Sequence, residues 1–447
     1  MAITMRHIAS AATSPGSRQR ARRCAVPLIA AGLLLSVAQT GAAAPPATAQ
    51  TATPASGPVT KHIATTRWST RDLRGGTFSH THINGGIQIG PQPVTVSYDD
   101  PYGPSDRLAY SRGRWYSPWV ATNFGLTELI AAYQAKTPPG TFLEISARGR
   151  TGAGTTSSWD SLGRWASHDV NFHRMSLGSQ RDDLSRVAVD TLVTSSGATF
   201  TSWQLRLSLF RRAGTTKTPT VTKVAAVASR LPATSPTSSP GPTVGELLAV
   251  PKYSQEIHAG EYPQWDGGGE AWCSPTSTSM VMGYWNRLPT PKQYAWVNDS
   301  YQQPWVDYAA RHTFAWGYDG TGDWPFNTAY AAQFGLDSFV TRLRSLREAE
   351  LFIDAGIPLV ASIGFGPGEL DGAPISSTNG HLLVIRGFTQ NGDVIVNDPA
   401  AQAAKTVRRV YDRGQFENAW LDTTGGVAYV IHPTTKPLPT PSAHSNW

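Results

Sequence analysis

The sequence predicts an α+β domain over residues 247–432, preceded by an all-β, sandwich-like domain over residues 62–229. Three observations carry this expectation. Trp203, Leu205, Leu207 and Leu209 alternate with Gln204, Arg206, Ser208 and Phe210, the period of two of a half-buried strand. Similar runs at 142–148 and 187–193 lie between clusters of Gly, Pro, Ser and Asp, as in an antiparallel sandwich. Residues 232–243 read PATSPTSSPGPT, with enough proline to stay extended and no side chain able to anchor a core. A linker over 230–246 is expected.

After that linker the pattern mixes helices and strands. Ser274–Tyr284 reads as a helix of small residues and methionines, Phe326–Phe334 as a second, and Leu346–Ala355 as a third ended by Gly356. Residues 358–363, 381–388 and 394–397 read as strands, the last two joined by Thr389-Gln390-Asn391-Gly392.

At 447 residues the chain is too long for one ordinary core. Residues 1–49 are expected to be a secretory signal: Arg18, Arg20, Arg22 and Arg23 precede an apolar run from Ala25 to Ala38, and Ala47-Thr48-Ala49 offers a cleavage site. The run contains Pro27 and is shorter than the roughly 20 residues that span a bilayer, so no stable membrane anchor is expected. Arg22-Arg23 fits twin-arginine export. A secreted, extracellular protein follows, with residues 50–61 and 433–447 disordered.

The signal holds five arginines and no acid, so without it the formal charge of +7 falls to +2. No Lys/Arg-rich run with interleaved aromatics occurs elsewhere, and nucleic acid is not an expected partner. Cys24 leaves with the signal. Cys273 is then the one thiol, in an oxidising compartment: a buried inert side chain, a handle for intermolecular pairing, or a nucleophile.

Cys273 is followed by Ser274, Pro275 and Thr276, so it sits where a helix should begin. A helix N-terminus and a nearby imidazole bring a thiol from a pKa of about 8.5 into a range of roughly 3.5 to 7.5. His381 opens an apolar strand after Thr378-Asn379-Gly380, at an edge that can face a cleft. Asp398 ends the next strand before Pro399; in an antiparallel pair the start of one strand lies beside the end of the other, so its carboxylate can reach the ring. Gln255 upstream could aim an amide at a developing oxyanion, together with the Cys273 backbone N–H.

Val250-Pro251 through Ser254-Gln255, Trp272-Cys273-Ser274-Pro275-Thr276-Ser277, Gly380-His381-Leu382 and Val396-Asn397-Asp398-Pro399 together resemble the papain-like cysteine peptidases related to the double-glycine, bacteriocin-processing family, in a secreted two-domain form. The resemblance covers residues 247–432 and implies an α+β papain-like cysteine peptidase domain acting on a peptide or protein substrate. It implies Cys273 as nucleophile, His381 as general base, Asp398 as third member and Gln255 as oxyanion donor, with Trp272, Ser274 and Gly380 beside the substrate. The commoner form of the cysteine motif has Gly where Ser274 stands. The β-rich region resembles the accessory domain of that form, with a cell-surface or polysaccharide ligand as its expected partner. These motifs call for no cofactor or metal.

Two other readings compete. One is a cell-wall peptide amidase of the NlpC type; the other is a non-catalytic carbohydrate or cell-surface binding protein with an inert thiol. Seven tryptophans between Trp265 and Trp324 read as an aromatic core more than a groove lining. Asp319-Gly320-Thr321-Gly322-Asp323 lacks calcium-loop spacing and reads as a turn. His80-Thr81-His82 reads as an exposed strand without a third ligand, and Gly267-Gly268-Gly269 as a place where backbones approach closely.

Overall fold

The computed structural model describes residues 60–104, 107–169, 172–178, 180–181, 183–441 and 446–447. The expected signal, Cys24 and residues 50–59 lie outside the described residues. The protein is mostly β-sheet, with a β-rich N-terminal domain and a C-terminal domain that adds helices.

The N-terminal domain packs a seven-stranded sheet on an eight-stranded one. The strand Phe200–Arg212 pairs over ten residues with Thr141–Arg150, and inward-facing Leu205, Leu207, Leu209, Leu143 and Ile145 fill the space between the sheets. The run expected at 187–193 is two strands instead. Ser185–Ala188 and Thr191–Thr194 form a tight hairpin, because Val189 takes a left-handed φ of 55° and reverses the chain.

Two strands of the seven-stranded sheet, Glu128–Lys136 and Thr220–Arg230, are buried on both faces. Val224, Ala226 and Ala228 point into the sandwich, whereas Ala225 and Val227 join the core of the C-terminal domain. Alanine on that second face lets the two domains approach closely. Polar groups close the contact: the buried Arg174 guanidinium donates to the carbonyls of Phe314 (3.3 Å) and Arg311. Asp190 accepts from the Trp324 N–H at 2.9 Å, and Asp337 accepts from Arg67, Lys223 and Gln134 at 3.0, 2.7 and 2.6 Å.

In the C-terminal domain a six-stranded antiparallel sheet runs in the order Leu336–Arg342, Val427–Pro433, Leu359–Phe365, Thr378–Phe388, Val394–Asn397, Arg408–Tyr411. Helices α1 (Cys273–Tyr284), α2 (Pro304–Thr313), α3 (Trp324–Ala332) and α4 (Leu346–Asp354) accompany it. Three were expected within two residues at their starts. α2 was not, although Pro304 opens it in the favoured first position. α4 stops at Gly356, whose φ of 71° suits a residue without a Cβ.

The segment expected as a free linker is fastened to this domain. Ser238 binds the Glu417 carboxylate through N and Oγ at 2.6 Å each, and the Arg413 guanidinium donates to the Ser238 carbonyl at 2.6 Å. At the chain end, expected to be disordered, Asn446 donates to the Arg342 carbonyl at 2.8 Å and the Trp447 ring packs 4.8 Å from Phe352. Side-chain hydrogen bonds capture both segments, with Trp447 adding apolar packing at the tail. Among the described residues no helix is long and apolar enough to cross a membrane.

Candidate active site

Cys273 is the first residue of α1, after a backbone turn in which the Trp272 N–H bonds the Gly269 carbonyl at 2.9 Å. Pro275 sits in the first helical turn, where its missing N–H costs nothing. The helix is buried almost throughout, and its small residues let it lie close to the sheet. Ser277, one turn on, donates to the Leu382 carbonyl at 3.0 Å.

His381 is the fourth residue of strand Thr378–Phe388, opposite Ile363, and not the first as expected; Thr378 already pairs with Phe365. Its Nε2 meets Asp398 Oδ1 at 2.7 Å. The ring also lies within hydrogen-bonding reach of the Cys273 thiol, which leaves Nδ1 as the nitrogen that serves it. Burial opposes charge on the ring, but the Asp398 carboxylate and the cysteine outweigh it and raise the imidazole to about 10. Asp398 is fully buried. Burial pushes its carboxyl up, and the combined opposing pull of His381 and of bonds from the Tyr411 hydroxyl at 2.7 Å and the Ala400 N–H at 3.1 Å holds it below the usual carboxylate range.

The strand carrying Asp398 also positions Gln255. Asn397 donates to the Pro251 carbonyl at 2.9 Å, and the Gln255 N–H bonds the Pro399 carbonyl at 2.9 Å. The Gln255 side-chain amide donates to the Glu270 carbonyl at 2.6 Å and more distantly to Glu256 at 3.3 Å, while its Oε1 is buried without a partner. The thiol, the imidazole and the Asp398 carboxylate are therefore linked one to the next, and Gln255 is tied to their edge through Pro399 and Glu270.

The expected substrate contacts do not line an open surface. Trp272 is buried with its indole N–H on the Trp265 carbonyl at 2.7 Å, the Ser274 hydroxyl turns into the core against Tyr429 at 3.0 Å, and Gly380 is buried. Cys273 itself has 0% exposure and His381 2%.

Residues 60–229 match a family profile described as the Peptidase C39 N-terminal domain, and residues 247–428 match the Peptidase C39-like family. The chain belongs to the C39 cysteine peptidase family. A search of curated proteins found no match. Solved structures with some likeness to this C39 family chain include carbohydrate-binding modules of the β-sandwich superfamily, with 10% identity over 36% of this chain and 54% of theirs at a TM-score of 0.17. Others are the Clostridium thermocellum xylanase 10B modules, with 11% identity over 41% and 31% at 0.16, and infectious bursal disease virus VP2, with 12% over 38% and 33% at 0.16. The chain thus spans about half or less of the length of these structures, and TM-scores this low carry no fold assignment.

In this C39 family chain, sequence reasoning missed Tyr411 and Asp266. Tyr411 lies in a short strand, after two arginines and an exposed valine that hide it. Asp266 is held by the Thr321 N–H and hydroxyl at 2.9 and 3.1 Å and is pushed up to about 7 by burial, with the nearby Cys273 adding to the rise. Five of the seven tryptophans, Trp265, Trp272, Trp296, Trp305 and Trp316, do pack into one aromatic cluster with α2. Asp323 caps α3 by accepting from the Phe326 N–H, so the acidic stretch before it is a turn into a helix. His80 takes a left-handed φ of 58° outside the strand and its ring meets the Gln92 carbonyl.

One buried group could hold a metal by residue type: His258, Glu261 and Asp307, whose ligating atoms lie within 4.8 Å of one another. The His258 Nδ1 to Glu261 distance of 2.7 Å is that of a hydrogen bond. Gly269 packs on His258 so closely that a Cβ there would lie 2.3 Å from its backbone. The trio ties the loop before Cys273 to α2.

Proposed function

We propose that this chain is an exported papain-like cysteine peptidase that hydrolyses peptide bonds, with Cys273 as nucleophile, His381 as acid and base, Asp398 as the group that orients the ring, and Gln255 as oxyanion donor. The observation that carries the reading is the His381 ring held by Asp398 through Nε2 at 2.7 Å while its other nitrogen serves the thiol. An imidazole raised to about 10 stays protonated at neutral pH, which favours a thiolate beside it.

The thiolate sulfur attacks the amide carbon, and the carbonyl electrons move to oxygen. The Cys273 N–H at the helix start, with the Gln255 amide hydrogen that only Glu256 holds at 3.3 Å, stabilises that oxyanion. Nδ1–H of His381 gives its proton to the leaving nitrogen as the C–N bond breaks. Water then adds to the thioester with Nδ1 taking its proton, and the sulfur leaves as thiolate. Asp398 keeps one tautomer throughout, and Tyr411 and Ala400 keep Asp398 in place. A thiol with no accessible surface meets no peptide, so productive binding includes displacement of the residues that cover it.

Purified protein assayed on casein-type peptides and on muropeptides tests the reading. Hydrolysis of the peptides that vanishes in Cys273→Ala supports it. Cleavage of muropeptides alone would point to a cell-wall amidase, and activity unchanged in Cys273→Ala would leave the thiol inert.

A further inference from the structure

The outer face of the eight-stranded sheet carries a second feature that the peptidase reading does not use. Along strand Phe200–Arg212 the odd positions Leu205, Leu207 and Leu209 point inward, so Gln204, Arg206 and Ser208 point outward. The register sets Arg206 beside Tyr116 and Ser146, Gln204 beside Arg148, and Ser208 between Arg114 and Glu144. Guanidinium groups thus gather on one face from three strands, in a period-two pattern that no linear run of basic residues displays.

These side chains form a ladder with two indoles. Arg206 and Arg148 lie 4.8 and 4.4 Å from the Trp159 ring, and Arg148 and Arg150 lie 5.0 and 4.1 Å from Trp119. All are half-buried. Stacking uses the flat faces of guanidinium groups and leaves their N–H edges for acceptors. Those edges meet mostly neutral partners: Arg148 donates to Gln204 Oε1 at 2.7 and 3.0 Å, Arg206 to the Ser146 hydroxyl at 3.0 Å and Arg150 to the Thr156 hydroxyl at 3.3 Å. Among the described residues, the ion pairs on this face converge on one acid, Glu144, bonded by Arg164 at 2.7 Å and 3.9 Å from Arg206. Burial and the mutual repulsion of neighbouring arginines both weaken the hold of Arg112, Arg148 and Arg206 on their protons. The Arg114 and Arg206 Nε atoms are buried without partners. A lattice of like charges with a single acid to offset it is matched by a row of carboxylates.

We propose that this face binds a linear polysaccharide bearing carboxylate groups, seated along the Arg206–Trp159–Arg148–Trp119–Arg150 ladder. A sheet face suits a ribbon-like sugar chain. Single-stranded nucleic acid would need bare aromatic faces for its bases, and each indole here already holds two guanidinium groups.

Affinity electrophoresis of the full purified chain in gels containing polygalacturonate, neutral xylan or no polymer tests this. Retardation is expected in polygalacturonate alone, with affinity falling at least about tenfold between 50 and 200 mM salt as counter-ions compete. The double substitution Arg148→Gln with Arg206→Gln should weaken binding roughly tenfold while leaving peptide hydrolysis unchanged, and the corresponding lysine pair should retain more of it. If the glutamine pair loses its cooperative thermal transition, the wild-type salt dependence and the xylan control decide. Equal retardation by xylan, no retardation by polygalacturonate, unchanged binding by a folded glutamine pair, or tighter binding of a single-stranded oligonucleotide would overturn the proposal.

Discussion

The Ser277 hydroxyl donates to the main-chain oxygen of Leu382 at 3.0 Å, fastening the helix that begins at Cys273 to the strand one residue past His381. Thiol and imidazole come from segments more than one hundred residues apart, and this bond, inside a fully buried contact, fixes how the two approach. Ser277→Ala leaves that carbonyl with one partner fewer, a loss of about 1–3 kcal/mol. Thermal unfolding should shift down by a few degrees, and kcat should fall more than KM rises. A variant of unchanged stability and turnover would show that sheet and helix are aligned by other contacts.

Gln255 sits on a loop whose backbone is pinned to Pro399, and its amide reaches the Glu270 carbonyl just before the nucleophile's helix. Gln255→Ala should lower kcat by about 10²–10³ with KM little changed, since the lost donor acts on the oxyanion. Alkylation of Cys273 should stay within a few-fold of wild type. An equal loss in alkylation would assign Gln255 to shaping the thiol instead.

Tyr411 bonds the outer oxygen of Asp398. The Asp398 carboxyl is held below its ordinary value, so its contribution to stability is present above the unfolded pKa and is lost as pH falls through the folded one. In Tyr411→Phe one of the bonds that depress it is gone, and the folded value rises. The acid-unfolding midpoint should therefore move to higher pH; circular dichroism during acid titration reads it, and an unmoved midpoint would contradict the assigned bond.

Asp190 and Asp323 face each other across the domain contact, both buried. Burial is the main cause of the rise in each, taking Asp190 to about 6 and Asp323 well above the ordinary value, with the neighbouring Asp190 charge raising Asp323 further. Groups raised in the folded state contribute stability below the unfolded pKa of about 4, and lose it as pH climbs through the folded value. Asp323→Asn, which can still cap α3, should raise the melting temperature by about 2–4 °C at pH 7 and leave it unchanged near pH 4. Equal melting temperatures at pH 7 would mean that the pair is relieved by other groups.

The candidate site was legible because its parts carry local signatures: a proline two residues after Cys273, a glycine before His381, a proline after Asp398. Long strands with strict alternation were legible for the same reason. The close union of the domains was hidden, since strands buried on both sides, such as Thr220–Arg230, replace alternation with a continuous run, VAAVA, whose two faces serve different cores. Helix α2 begins after two glutamines, the second in a left-handed conformation, and carries polar residues through its middle, which masks its apolar stripe. The linker and tail were misjudged because side-chain hydrogen bonds fasten the first, and such bonds together with Trp447 packed on Phe352 fasten the second. The arginine ladder escaped because its members are distant in sequence and meet only through sheet register.

The most direct measurement is the rate of iodoacetamide alkylation of Cys273 against pH, in the wild type and in His381→Ala. Burial slows the thiol and thiolate forms alike, so the shape of the profile carries the information. An imidazolium that persists to about pH 10 should keep the wild-type rate nearly flat from roughly pH 6 to 9, whereas in His381→Ala the rate should climb with a midpoint near or above about 8.5. Two coincident profiles, both climbing as for a free cysteine, would contradict a thiol activated by that ring.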